Sequence, residues 1–401
     1  MSATRRTPTK LTLLMLLFSI VSYAAATRSA PPIVTTVDCN SGQSLNATLA
    51  KLNKNVPNTV SVSGTCSEYV AVTDFTSLTL QGQPGATLEQ PITPAGSLST
   101  EGLLFIGAST SVTVDGFAIQ TDTVTTPGVG IGHGSSDIRL RHLNITGGTG
   151  GIVVYENSQV SIAYVTVQNP GFATLEAYDS SDVHLEHSAF AITSSASSYN
   201  VGLFVGAAHI TMYATSISNM QVGIYAYAGS IIDVLSFTTY YNTSGSTDVT
   251  VLSPAGNSYN AAYIIEGASL NATGAPLIIN RAGQSYGGTT GAIFLNSNAM
   301  LNAANGDLVI QGSLGQGVLL VNNSHANLTG ATISGGTHGG VVVANLSSVD
   351  VSTAGTLSTI SGNSVDLFCD SSSGITGSAN VAGAPKTQCT NLLATETVTL
   401  P

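Results

Sequence analysis

The stretch GIVVYENSQVSIAYVTV, residues 151–167, decides the fold. It holds two short runs of alternating apolar residues separated by the small polar turn Asn157-Ser158, and a third run starts at its end. An alternation of period 2 places Val160 and Ile162 on one face of a strand and Gln159 and Ser161 on the other. The same pattern returns as GIYAYAGSIIDVLSFTT from Gly223, GVLLVNNSHANLTGATI from Gly317 and GVVVANLSSVDVSTAGTL from Gly340. Looser copies begin near Gly102, Gly130, Thr174, Gly202, Ala262 and Gly291, so successive starts lie 21 to 39 residues apart. Repeats of this length mark stacked architectures. One unit of short strands cannot bury its apolar face alone. Stacking units at about 4.8 Å closes a continuous core and pairs the backbone between neighbours. The sequence therefore predicts an all-β chain wound as a right-handed parallel β-helix, a solenoid of roughly ten coils.

Composition agrees with that reading. Only 8% of the 401 residues are charged, against about 25% in ordinary soluble domains, while Gly is abundant at 43 residues and Trp is absent. Long helices want Glu, Lys, Arg and Leu, whereas this mixture suits strands and tight turns. The net charge is −11. Beyond residue 26 the only cations are Arg28, Lys51, Lys54, Arg139, Arg141, Arg281 and Lys386. A phosphate backbone needs a basic footprint, so nucleic acid is excluded as a partner. The same acidity matches polyanionic substrates poorly unless a metal or a local basic patch intervenes.

The ends carry their own signals. Arg5, Arg6 and Lys10 precede the apolar run 11–21, and Ala24, Ala25 and Ala26 follow it. That arrangement reads as a secretory signal peptide over residues 1–26, too short for a membrane span of about 20 apolar residues. No transmembrane anchor is expected, and the protein is expected to be secreted or held at the cell surface. Residues 27–59 form an N-terminal segment in which SLNATLAKLNKN, from Ser44, places Leu45, Leu49 and Leu52 at helical spacing behind a capping serine. A capping helix across the first coil is expected there, because open strand edges invite aggregation. Residues 60–368 form the β-helix, and residues 369–401 form a C-terminal cap and tail. Cys39 with Cys66, and Cys369 with Cys389, bracket the two ends as candidate disulfides of an exported chain.

The coil pattern resembles the pectate-lyase-like superfamily of right-handed β-helix proteins over roughly residues 60–370. The whole chain looks like the exported bacterial repeat proteins of that superfamily. The resemblance implies the fold, and in the family's enzymes a site on the outer face of the first strand, here the one opening Gly-Ile as in GIVVYE. Gly132-His133-Gly134 matches the Gly-His-Gly motif of polygalacturonases locally. Their Asn-Thr-Asp, Asp-Asp and Arg-Ile-Lys motifs are absent from the chain. A pectate-lyase mechanism would require acidic calcium ligands and a basic residue on one face, whereas the pair Arg139 and Arg141 falls on the second strand.

Aligning the coils by turn places His133, Tyr155, Tyr178 and Tyr227 in one outward column, with Glu176 and Tyr225 two residues earlier. Glu156 and Asp179 stack at the start of the turn. Carboxylates so close would share a proton, bind a cation such as calcium, or remain solvated turn residues. Retaining glycosidases hold two carboxyls at about 5 to 5.5 Å, which makes Glu156, Glu176, Asp179 and His133 the candidate catalytic set. Tyr155, Tyr178, Tyr225 and Tyr227 present rings that stack either on sugars or on one another. Arg139 and Arg141 complete the candidate substrate contacts. On the second strand, Asp115, Arg141 and Glu186 share one height with Ala163 between the last two. Arg139 sits beside His184, and Asp182, His187 and His209 lie nearby; polar structural roles suffice for all of these. Three readings follow: an exported protein binding extracellular or surface polysaccharide along its strand face, a polysaccharide lyase or glycoside hydrolase working through the acidic patch, and a passive adhesive stalk. No dedicated metal site and no cofactor are expected, with calcium as the exception to test.

Overall fold

The computed structural model describes residues 32–389 apart from 93–100, 123–125, 194–199, 236–249, 254–259, 274–276, 281–290, 304–305, 354–355, 378 and 382–386. The signal-peptide reading, Arg281, Lys386 and the tail beyond residue 389 lie outside these residues.

Each coil contributes three short strands, typified by Gly150–Val154, Gln159–Ala163 and Thr166–Gln168. Each strand pairs in parallel with its counterparts in the coils before and after. Among the described residues the first strands form a sheet of 13, and the second and third strands form sheets of 14 each. The stack is thus a little longer than roughly ten coils. This is the parallel β-helix that the resemblance implies.

Alternation fills the interior as read from the sequence. Leu140, Ile162, Leu185, Met212 and Val234 follow one another up the second-strand sheet, each 0% exposed. Ile145, Val167, Phe190 and Ile217 follow one another on the third, none more than 1% exposed. Burying each such side chain contributes about 1.5–3 kcal/mol.

The glycine that opens each repeat has a packing cause. The first strand starts where the chain turns in from the third, and its backbone runs against the third strand's side chains. A Cβ on Gly151 would fall 2.2 Å from Val167 Cγ1, and one on Gly317 would fall 2.5 Å from Ile333 Cγ2. The column continues through Gly128, Thr174, Gly202, Gly223 and Gly340. The copies read near Gly130, Ala262 and Gly291 therefore begin at Gly128, Ala261 and Ala292, since Val129, Ala262 and Ile293 are the inward residues that follow.

The capping helix expected over residues 44–55 does not form. In its place stand a 3-10 turn, Cys39–Ser41, and a single α turn, Leu45–Leu49, capped by Ser44. Beyond it Asn53 accepts from the amide of Asn55, a local bond that competes with helix continuation. The open edges are met in other ways. Strand Ile33–Asp38 extends the second-strand sheet. Asn46 accepts from the Ala71 amide at 3.0 Å and donates to the Tyr69 carbonyl on the first-strand sheet. Asn40 accepts from the Thr65 amide at 3.0 Å on the third. Two disulfides, Cys39–Cys66 and Cys369–Cys389, tie the first and last coils.

Gly151→Val should destabilise the solenoid by about 1–3 kcal/mol, the penalty of overpacking. Gln159→Ala, at an outward position of the same coil, should stay within about 0.5 kcal/mol of the parent. Urea denaturation of both variants checks the pair, and equal stabilities would show that the glycine column carries no packing constraint.

Candidate functional site on the first-strand sheet

The outward side chains of the first-strand sheet form two columns. One runs Val153, Glu176, Phe204, Tyr225, Tyr263, Phe294 through consecutive coils. Its rings meet at centroid distances of 5.0 Å for Phe204–Tyr225, 5.1 Å for Tyr225–Tyr263 and 5.1 Å for Tyr263–Phe294. The first and last of these pairs are stacked, at interplanar angles of 26° and 29°. Rings lying side by side in one plane could not approach so closely, so part of each face is committed to a neighbour. Beneath the strip, Ala173, Val201 and Val222 are buried outside the main core.

The second column runs Tyr155, Tyr178, Gly206, Tyr227. Tyr178 and Tyr227 both register with Gly206, so they stand two coils apart rather than adjacent. Phe204 fills the interval, 5.9 Å from the Tyr178 ring and 5.4 Å from that of Tyr227. The missing Cβ at Gly206 leaves room for the hydroxyl end of Tyr227, and Gly132 does the same for Tyr155.

His133 departs from the expected column. The residue under Tyr155 is Gly132, and His133 sits one step further, in the left-handed region at φ 56°, over Glu156. Its amide donates to Glu156 Oε2 at 3.1 Å, and its Nε2 lies 3.7 Å from the same oxygen. The slip arises because this coil carries one residue more than its neighbour between the turn and the second strand, Gly132 to Ile138 matching Tyr155 to Val160. Glu156 and Asp179 do occupy the same turn position in adjacent coils, both left-handed at φ 54°. The Glu156 carboxylate faces His133.

Glu176 is the half-buried carboxylate of this face. Tyr178 donates its hydroxyl to Glu176 Oε2 at 2.5 Å, and Gly150 supplies the space that Glu176 Oε1 occupies. Burial raises the Glu176 carboxyl above its usual range, and the Tyr178 bond opposes that shift only in part. Tyr155 is pushed up to about 12, first by burial and then by Glu101 and Glu156. Tyr178 rises further through burial, the charge of Glu176 and the hydrogen bond to it. Tyr225 and Tyr227 rise chiefly through burial, and Asp179 adds to the shift of Tyr227.

Arg139 and Arg141 belong to another face and do not join the tyrosines. The register Asp115, Arg141, Ala163, Glu186 on the second-strand sheet follows the sequence reading, as does Arg139, Ser161, His184. Arg139 pairs with Asp137 at 2.7 Å. His209 lies between Asp182, 3.2 Å from Nδ1, and Asp233, 2.9 Å from Nε2. Burial lowers the pKa of His184, against the opposing charges of Glu186 and Asp182.

Two features were missed in the sequence. Phe204, Tyr263 and Phe294 belong to the aromatic column, and aligning VGLFVG, AAYIIE and GAIFLN on the small residue that opens each strand places all three together. At the next turn His142, Tyr164 and His187 stack, with centroids 5.4 and 5.1 Å apart and planes within 12°. Their signal is the residue directly after each second strand.

No family model matches the chain, and no curated relative matches it. Three solved structures are similar in winding. The catalytic domain of a GH87 alpha-1,3-glucanase in complex with nigerose is 13% identical, with a TM-score of 0.42, 92% of this chain and 69% of that one being covered. Bacteriophage CBA120 tailspike protein 3 is 8% identical at a TM-score of 0.40, covering 84% and 55%. An alginate lyase from Paenibacillus sp. str. FPU-7 is 9% identical at a TM-score of 0.25, covering 92% and 97%. The likeness is one of fold. What this chain binds or cleaves has to come from its own residues.

A carboxyl raised above its unfolded value of 4.5 binds its proton more tightly in the folded protein. Its contribution to stability is therefore full below the unfolded pKa and is lost as pH rises through the folded one. Glu176→Gln keeps an acceptor for Tyr178 and removes the buried charge. The variant should melt higher than the parent near pH 7.5, and the gap should close toward pH 4. A gap independent of pH, measured by thermal melts, would mean that Glu176 is not held in a charge-averse setting.

Proposed function

We propose that this is an exported protein that binds polysaccharide along the outer face of its first-strand sheet, with Glu176 and Tyr178 as its polar centre. The observation that supports this most is the half-buried strip of Phe204, Tyr225, Tyr263 and Phe294 on the outside of the solenoid, bordered by the hydroxyls of Tyr178 and Tyr227. Apolar surface with a few polar groups placed at its edge is the chemistry that sugar chains need. The stacked rings leave edges and hydroxyls, rather than whole faces, for a ligand. Contact is thus through hydroxyl pairing and the apolar faces of sugars laid along the strip. The two disulfides support export, since such bonds persist in oxidising compartments. Calcium held between neighbouring turn carboxylates, Glu156 and Asp179, would strengthen binding of chains that carry uronates.

One observation favours catalysis as a second reading. Burial keeps Glu176 protonated to higher pH than an ordinary carboxyl, the property of a general acid in glycoside cleavage, and Asp179 on the adjoining turn is the candidate second carboxylate.

A panel of neutral and uronate polysaccharides, with and without calcium, tests both readings on the mature protein. Binding of one class is expected, weakened at least tenfold in Tyr225→Ala combined with Tyr227→Ala. Unchanged affinity in that variant would remove the first-strand face as the binding surface. New reducing or unsaturated ends, abolished by Glu176→Gln, would establish the catalytic reading; their absence would leave a binding protein.

A further inference from the structure

The outer faces of the first and second sheets differ in chemistry, and the second has a relief of its own. Charged groups are scarce in this chain, yet they crowd the outward positions of the second strands. The column nearest the turn runs Gln159, Asp182, His209, Ile231, and Asp137 precedes it in the coil below Gln159. The next column runs Arg139, Ser161, His184, Thr211, Asp233. Two hollows lie end to end along them. One, of about 250 Å³, is walled by Asp137, Gln159, Ser161, Asp182 and His184. The other, of about 420 Å³, is walled by Asp182 and His209 and floored by small turn residues including Ser180, Ala207 and Ala228. Asp182 belongs to both. The five coils from Asp137 to Ile231 span about 19 Å at the strand spacing, the length of a short oligosaccharide. The turn residues of the second hollow directly follow Tyr178 and Tyr227, so the trough adjoins the first-strand face.

The charges define the ligand class. Arg139, the fixed cation of the trough, is already paired with Asp137 at 2.7 Å. His209 is shared between Asp182 and Asp233, and Asn271 donates to Asp233 at 2.7 Å. A polyuronate would meet three carboxylates, and Arg139, the arginine beside them, is already paired. A chain of neutral sugars instead offers paired hydroxyls to carboxylate acceptors and to imidazole and guanidinium donors, partners these side chains can satisfy together.

We infer that the corner between the first and second strands, from Asp137 to Ile231, is a trough that holds a neutral polysaccharide chain laid along the solenoid axis. The inference rests on the polysaccharide reading above, which it extends around the turn and narrows in substrate class.

The experiment uses the mature protein and three variants: Ser161→Trp, which fills the first hollow, Asp182→Asn, which keeps the shape and removes the shared carboxylate, and the combined tyrosine variant given above. Circular dichroism and melting temperature verify folding of each. Probes are soluble neutral glucans of several linkages, set against polygalacturonate and alginate, with affinity read by calorimetry. A neutral glucan should bind, and Ser161→Trp and Asp182→Asn should each weaken it at least tenfold. Preference for either polyuronate overturns the trough and leaves polysaccharide binding intact. Loss of neutral-glucan binding in the tyrosine variant, with Ser161→Trp and Asp182→Asn unchanged, likewise confines the ligand to the first-strand face. Failure of every polysaccharide to bind overturns the functional reading itself, and the trough with it.

Discussion

Everything in this molecule depends on the close approach of the first and third strands inside each coil. The chain must double back after Thr166–Gln168 and its counterparts, bringing the opening residue of the first strand against the Val or Ile of the third. In most coils a side chain there would collide, so Gly128, Gly151, Gly202, Gly223, Gly317 and Gly340 occupy that corner, while Thr174, Ala261 and Ala292 hold it in others. With the corner closed, the three strands of one coil face a common interior, and columns such as Leu140–Ile162–Leu185–Met212 are fully buried. Backbone pairing then runs along the axis, each coil serving as template for the next. A solenoid gains stability by this repetition, and its weak points are its ends. Here a strand, two asparagine side chains and two disulfides meet them.

Because the interior takes every second residue, the outward residues are free of that packing demand, and the two broad faces have diverged. The first-strand exterior is aromatic. Its rings stabilise one another by about 0.2–1 kcal/mol per neighbouring pair, which gives the strip a structural role whatever it binds. The same contacts hold Glu176 away from water, which turns a surface carboxylate into one with an altered proton affinity. The second-strand exterior is polar; its acids and histidines answer one another across coils, and Arg139 pairs with Asp137 within its own coil. The two chemistries meet at a turn where consecutive residues, such as Glu156-Asn157 and Asp179-Ser180, take left-handed conformations. That geometry favours Asn, Asp and Gly, so polar groups collect at the corner for backbone reasons before any ligand is considered.

The sequence made some of this legible and hid the rest for identifiable reasons. Val160 and Ile162 point inward as the alternation requires, because a period of 2 leaves a strand only two faces. The heights of Asp115, Arg141 and Glu186 follow from coils of nearly equal length, and the cysteine pairs follow from their bracketing of the ends. Where coils differ by a residue, the reading slipped. His133 falls beside Glu156 instead of Tyr155, because its coil has one residue more between the turn and the second strand. Tyr178 and Tyr227 read as neighbours only if the VGLFVG coil is overlooked, and its Gly206 separates them. The helical spacing of Leu45, Leu49 and Leu52 was read as a helix, yet Leu45 and Leu49 reach the core from a single α turn, so the pattern reported burial more than conformation.

By itself, then, the sequence determined that the chain winds as stacked parallel coils, which residues line the interior, and where disulfides close the ends. These are properties of periodicity and spacing, which survive small errors in alignment. Only the tertiary structure decided which outward residues meet. That Phe204 lies beside Glu176, that His133 meets Glu156, and that His209 lies between Asp182 and Asp233 each depend on registry between coils. A shift of one residue exchanges such partners while leaving the apolar repeat recognisable. The fold is written in a pattern averaged over many coils, whereas the site is written in single side chains whose neighbours come from other coils.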